Sequence, residues 1–154
     1  LRKSYLNRDS VAIVSFHGTT ANIDLPPSRS ILRARRVLDS LRMGGSTPLG
    51  LGLVTTIELL ELVGNKFGER VVLLFTDGRS NVPLRRGGLN MRAFRQVKIE
   101  SELRELTVAL NRTRARVVVV DTQKEFESSE ETHRLAALLR ARFVKLSFHA
   151  KTQR

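Results

Sequence analysis

The chain has no cysteine and no tryptophan. Without cysteine, disulfides and thiolate metal sites are excluded, and a reducing compartment fits. With one tyrosine and 5% aromatic residues overall, there are few platforms on which nucleic-acid bases can stack. An aliphatic interior of α/β type suits this composition better than an aromatic-rich sandwich. No apolar run approaches the roughly 18 to 20 residues that a membrane-spanning helix requires. No signal-peptide pattern opens the sequence. No Gly-x-x-x-x-Gly-Lys-[Ser/Thr] occurs, so ATP binding is not this chain's expected task. The three histidines, His17, His133 and His149, lie in separate elements without metal-ligand spacing. Ser46 lies in Gly-Ser-Thr-Pro rather than in a nucleophile elbow. No catalytic residue is identified.

Acidic residues are also scarce, 15 against 27 basic ones, for a net charge of +12. Such a charge favours acidic partners. Its distribution says more than its total. Gly78 to Lys98 has no acidic residue but contains Arg79, Arg85, Arg86, Arg92, Arg95 and Lys98. No helix-turn-helix or RNA-binding motif accompanies these charges, so a nucleic-acid module is only a competing reading.

The 154 residues suit one domain with a full core, with no repeat, low-complexity tract or linker. The first residue is Leu1 rather than Met, which suggests a fragment or an excised domain. Val11 to Phe16 is rich in β-branched residues and reads as a strand, turned by His17-Gly18. Thr20 to Leu25 alternates as a short strand that could stand at a sheet edge, and Pro26-Pro27 is expected to end its pairing. A helix capped by Ser28 or Ser30 follows, to about Arg42. Pro48 suits the first position of the next helix, whose apolar residues are Leu49, Leu53, Ile57 and Leu60. Val71 to Phe75 reads as a strand buried on both faces. Asp77 to Lys98 reads as a long basic loop, and Ile99, Leu103, Leu106 and Leu110 mark a helix. Val117 to Val120 is another buried strand. Ser128 and Glu131 have capping-box spacing, and Phe143 to Phe148 is the last strand.

Strands alternating with helices imply a mostly parallel, doubly wound α/β sheet with helices on both faces. Ligands of such sheets bind beyond the carboxyl ends of the strands. Asp77 and Asp121 stand at such ends, and Thr47 precedes a helix in a Gly-rich loop. Hard cations take oxygen ligands, and Mg²⁺ keeps several waters, so one or two protein oxygens from each loop are a sensible design. Asp77-Gly78 also fits a plain turn, and Thr47 an ordinary helix cap.

"GGSTPLGLGL" followed by "VVLLFTDGRSN" resembles the von Willebrand factor A (integrin I-like) domain. In that family three loops build a metal-ion-dependent adhesion site, which an acidic residue of a partner completes. The resemblance implies that Thr47 and Asp77 are ligands of a divalent cation, Mg²⁺, with Ser46, Gly78 and Asp121 around them. The family's Asp-x-Ser-x-Ser loop is absent from this sequence, so the first strand is expected to be missing and cation binding by the chain alone to be weak or absent. "LPPSRS" and "TDGRSNVPL" carry a narrower resemblance, to the carboxy-terminal domain of magnesium chelatase D subunits. That likeness implies a role between an I-type ATPase ring and an H-type porphyrin-binding subunit. It also implies service to Mg insertion into protoporphyrin IX, in bacterial cytoplasm or chloroplast stroma. The basic residues from Arg79 to Lys98 would then meet a partner. The alternatives are a metal-dependent binding domain of another chelatase or adhesion protein, and the basic nucleic-acid module.

Overall fold

A computed structural model describes residues 9–41, 46–66, 68–78, 92–123 and 129–146. They fall into two compact units. One is drawn from Leu1–Gly68 and Ser80–Thr113, the other from Glu69–Arg79 and Arg114–Arg154. The expected helical turns before Arg8 lie outside the described residues.

The first unit begins with an antiparallel hairpin of β1 (Val11–His17) and β2 (Thr20–Ser28). His17 pairs with Thr20, which leaves a two-residue turn led by Gly18 at φ +62°. A positive φ at that position matches the twist of the strands and is easiest for glycine. Contrary to the sequence expectation, β2 runs through Pro26 and Pro27, and Ser28 still pairs with Val11. The register shifts between Val11 and Val14, and among the described residues β2 pairs on one side only. An irregular register and an open edge are the settings in which strands tolerate proline.

Helix α1 (Ile31–Ser40) is capped by Ser30, whose hydroxyl accepts from the Arg33 amide at 3.3 Å. Helix α2 (Leu49–Val63) follows Pro48, which occupies the cap position itself. Both helices pack on the hairpin, and α2 also packs on α3 (Arg92–Arg112). Leu49, Leu53 and Ile57 of α2 are buried, as are Ile99, Leu103 and Leu110 of α3. Each fully buried leucine contributes about 1.5–3 kcal/mol of apolar burial. The glycine at position 52 has a packing reason: a Cβ there would stand 2.5 Å from the Phe16 ring.

The expected loop from Asp77 to Lys98 is corrected at its far end, because Arg92 to Lys98 form the first turns of α3. Arg92, Arg95 and Lys98 are therefore helical, and residues 79–91, with Arg79, Arg85 and Arg86, lie outside the described residues. Thr107, rather than Leu106, fills the buried position between Leu103 and Leu110; its hydroxyl donates to the Leu103 carbonyl at 2.8 Å.

The second unit is a parallel three-stranded sheet in the order β3 (Val71–Thr76), β4 (Arg116–Asp121), β5 (Arg142–Lys145), with α4 (Glu130–Leu138) packed on β4 and β5. Arg114 and Arg140, at φ 57° and 52°, turn the chain out of α3 and α4 and into the next strands. The expectation that Val71 to Phe75 is buried on both faces is corrected. Val71, Leu73 and Phe75 are 53%, 56% and 54% exposed, while Leu74 and Thr76 are buried. Successive strand residues face opposite sides, so Leu74 and Thr76 share the buried side and Val71, Leu73 and Phe75 the other. β5 is described from Arg142 to Lys145, and 147–148 lie outside the described residues.

Candidate functional site

In the second unit the register aligns Thr76 of β3 with Asp121 of β4, and Asp121 with Lys145 of β5. The carboxyl ends of three parallel strands thus stand side by side. The chain leaves β3 through Asp77 and Gly78. The Gly78 amide donates to the Thr76 hydroxyl at 3.1 Å, and Gly78 has φ +81°. A Cβ on Gly78 would lie 2.5 Å from the backbone nitrogen of Thr132. The Asp77-Gly78 turn is therefore pressed against the first turn of α4.

Asp121 is the hub behind that turn. It is 0% exposed. Its Oδ1 accepts from the Gln123 amide at 3.0 Å and from the Thr132 hydroxyl at 3.4 Å, and its Oδ2 accepts from the Ser129 hydroxyl. Burial pushes its carboxyl upward, but hydrogen bonds from Ser129, Gln123 and Thr132 and the charge of Lys145 outweigh it. The carboxyl is held below its ordinary range, so Asp121 is a carboxylate at neutral pH. A buried charge is tolerable when its lone pairs are met in this way. The network reaches Asp77 through Gln123, whose side-chain amide donates to the Asp77 carbonyl at 2.5 Å.

The structure therefore gathers Asp77, Gly78 and Asp121 into one neighbourhood. Asp121 is an interior residue rather than part of a surface rim. Ser128 of the expected capping box lies outside the described residues. Ser129 is the cap of α4, and its hydroxyl serves Asp121 instead of a helix amide. Gln123, Ser129 and Thr132 escaped the sequence reading. The Asp121-to-Gln123 bond joins residues two apart, the pattern of an Asx turn, and was the one available signal.

Thr47 and Ser46 belong to the first unit. Thr47 is half-buried, immediately before Pro48 and α2, and the exposed Ser46 accepts from the Gly18 amide at 2.9 Å through its carbonyl. A hydroxyl at 47 and a carboxylate at 77 are the donor types a hard cation takes. Among the described residues no group of three or more His, Asp or Glu is placed to hold a metal. Thr47 and Asp77 are each a donor of the kind Mg²⁺ takes, and each unit by itself supplies only one of them. No described helix is long and apolar enough to cross a membrane.

Comparison with known proteins adds the family. No family model matches the chain. It is 36% identical over 149 residues to the magnesium-chelatase 67 kDa subunit of Chlorobaculum parvum, covering 95% of this chain and 24% of that protein. It is 35% identical over 148 residues to the 67 kDa subunit of Chlorobaculum tepidum, again with 95% and 24% covered. The crystal structure of the SpRpn10 VWA domain matches with a TM-score of 0.59 at 11% identity, over 94% of this chain and 72% of that one. The chain has the von Willebrand factor A fold and is a homologue of magnesium-chelatase 67 kDa subunits, spanning about a quarter of their length.

Proposed function

We propose that this chain is a non-catalytic docking domain of a magnesium chelatase D-type subunit. It binds partner subunits and so helps couple ATP hydrolysis to Mg insertion into protoporphyrin IX in chlorophyll biosynthesis. The observation that carries the reading is the identity to two 67 kDa subunits across 95% of the chain. The proposed partners are the I-type ATPase ring and the H-type porphyrin-binding subunit, in bacterial cytoplasm or chloroplast stroma.

The proposed cation ligands are Thr47 and Asp77, with Ser46, Gly78 and Asp121 around them. A Mg²⁺ bound there supplies positive charge that a partner's carboxylate can meet. The chain's own part is to present a hydroxyl before α2 and a carboxylate after β3. What supports this is the chemistry of the two donors and the place of Asp77 at the carboxyl end of a parallel strand. In the full-length protein, Asp77→Ala is expected to weaken divalent-cation binding, read by titration with Mn²⁺, at least tenfold and to weaken partner-subunit binding with it. Unchanged partner binding would remove Asp77 from the docking role.

Arg79, Arg85, Arg86, Arg92, Arg95 and Lys98 are proposed to steer an acidic partner surface. Complementary charge acts mainly on the association rate and is screened by salt. Replacing both Arg85 and Arg86 by Glu is expected to slow association about tenfold at low ionic strength, with the difference shrinking as salt rises. Surface-binding kinetics at several salt concentrations read this directly. A slowing that ignores salt would count against steering.

A further inference from the structure

We propose that Gln123, held by the buried Asp121, is the positioning residue for Asp77, and that it sets where the Asp77 carboxylate stands for a divalent cation. The inference rests on the reading of Asp77 as a cation ligand and goes beyond it, because no motif points to Gln123. The residues form a chain of contacts within the second unit. Asp121 is fully buried and fixes the Gln123 backbone amide through its Oδ1 at 3.0 Å. The Gln123 side chain, only 6% exposed, then donates to the Asp77 carbonyl at 2.5 Å. Asp121 is itself held by Ser129 and Thr132 of the α4 entrance. Gly78, next to Asp77, rests on the backbone of that same entrance.

The turn that carries Asp77 is thus held at its carbonyl by Gln123 and at its glycine by α4. A carboxylate on a short side chain has little reach, so its location follows its backbone. Residues that orient a metal ligand without touching the metal commonly alter affinity by about 10- to 100-fold when replaced. The side-chain amide of Gln123 reaches the Asp77 carbonyl, so an effect of that amide on cation binding should vanish once Asp77 is replaced, which separates the proposal from a general loss of fold.

The test is a double-mutant cycle in the full-length protein, with Mn²⁺ as the probe and binding followed by electron paramagnetic resonance. Gln123→Met keeps the side-chain length and removes the donor. Circular dichroism first establishes that each variant is folded at the titration temperature, and Gln123→Leu provides a second, uncharged donor-free variant. The expected result is about tenfold weaker Mn²⁺ binding for Gln123→Met, and less than a twofold further effect when Asp77→Ala is already present. Equal losses in both backgrounds would overturn the proposal, because Gln123 would then act through the fold at large. Unchanged affinity in Gln123→Met and Gln123→Leu, with Asp77→Ala still weakened, would overturn the positioning role and leave Asp77 as a ligand. Unchanged affinity in Asp77→Ala alone would overturn the cation reading and this proposal with it.

Discussion

Gly78→Ala is expected to lower stability by roughly 2–5 kcal/mol. Two costs combine. The residue sits at φ +81°, in the left-handed region, where an added Cβ costs about 1–2 kcal/mol. That Cβ would also stand 2.5 Å from the Thr132 nitrogen and 2.7 Å from the Glu131 carbonyl carbon. Both are backbone atoms of a helix entrance and cannot rotate aside. Overpacking of this kind typically costs about 1–3 kcal/mol. The check is a thermal or urea melt in the presence of a chelator, so that any cation contribution is absent from both proteins. For contrast, Gly68→Ala should be close to neutral, since nothing lies within 4 Å of a Cβ there. If Gly78→Ala melted with the wild type, the tight seating of the turn on α4 would be wrong.

The second large effect is at Asp121. Asp121→Ala removes the acceptor shared by Ser129, Thr132 and the Gln123 amide. A buried donor left unmet costs about 1–3 kcal/mol, and partial relaxation keeps the total near roughly 3–5 kcal/mol. Asp121→Asn keeps the shape and one accepting oxygen, so its cost at neutral pH should be smaller, about 1–2 kcal/mol. The two proteins should also differ in acid. The folded carboxyl titrates below its unfolded counterpart, whose ordinary value is about 3.9. The stabilisation from the charged form is therefore complete above that unfolded value and is lost as pH falls through the folded one. Melts at pH 7 and at about pH 3 should show the gap between wild type and Asp121→Asn narrowing in acid. A gap that widened would reverse the sign assigned to this carboxyl.

Much of the fold was legible in the sequence because its signals are local. The Val11 and Val117 runs, the Leu49–Leu53–Ile57 spacing and the turn at His17-Gly18 all became elements within a residue or two of their expected ends. What misled was context. Pro26-Pro27 reads as a stop to pairing, yet β2 continues through both across an irregular register. Arg92 to Lys98 carry charge and few apolar residues, so periodicity gave no reason to extend α3 back to them. Val71 to Phe75 looks buried on both sides by composition alone, but burial depends on what covers each face. At the site, Thr47 and Asp77 stood out by residue type and flanking glycines. Asp121 was visible as a strand-end carboxylate, though not as a buried hub. Gln123 was invisible, since an uncharged amide whose partner is a backbone carbonyl 46 residues away leaves no pattern in the sequence.

The two compact units are interleaved along the chain, each made of two separate stretches. Ser80–Thr113 of the first unit is inserted between the two parts of the second. During synthesis β3 leaves the ribosome well before β4, its partner in the sheet, and must wait while the whole of α3 is made. Closing so long a loop is entropically slow, and parallel pairing of this kind lags behind local helix formation. A cut after Gly68 keeps both stretches of the second unit but divides the first, and a cut after Thr113 does the reverse, so no single cut leaves both units whole. A truncation at any internal boundary therefore breaks at least one unit along with whatever surface it removes, so point substitutions are the sound way to assign surfaces.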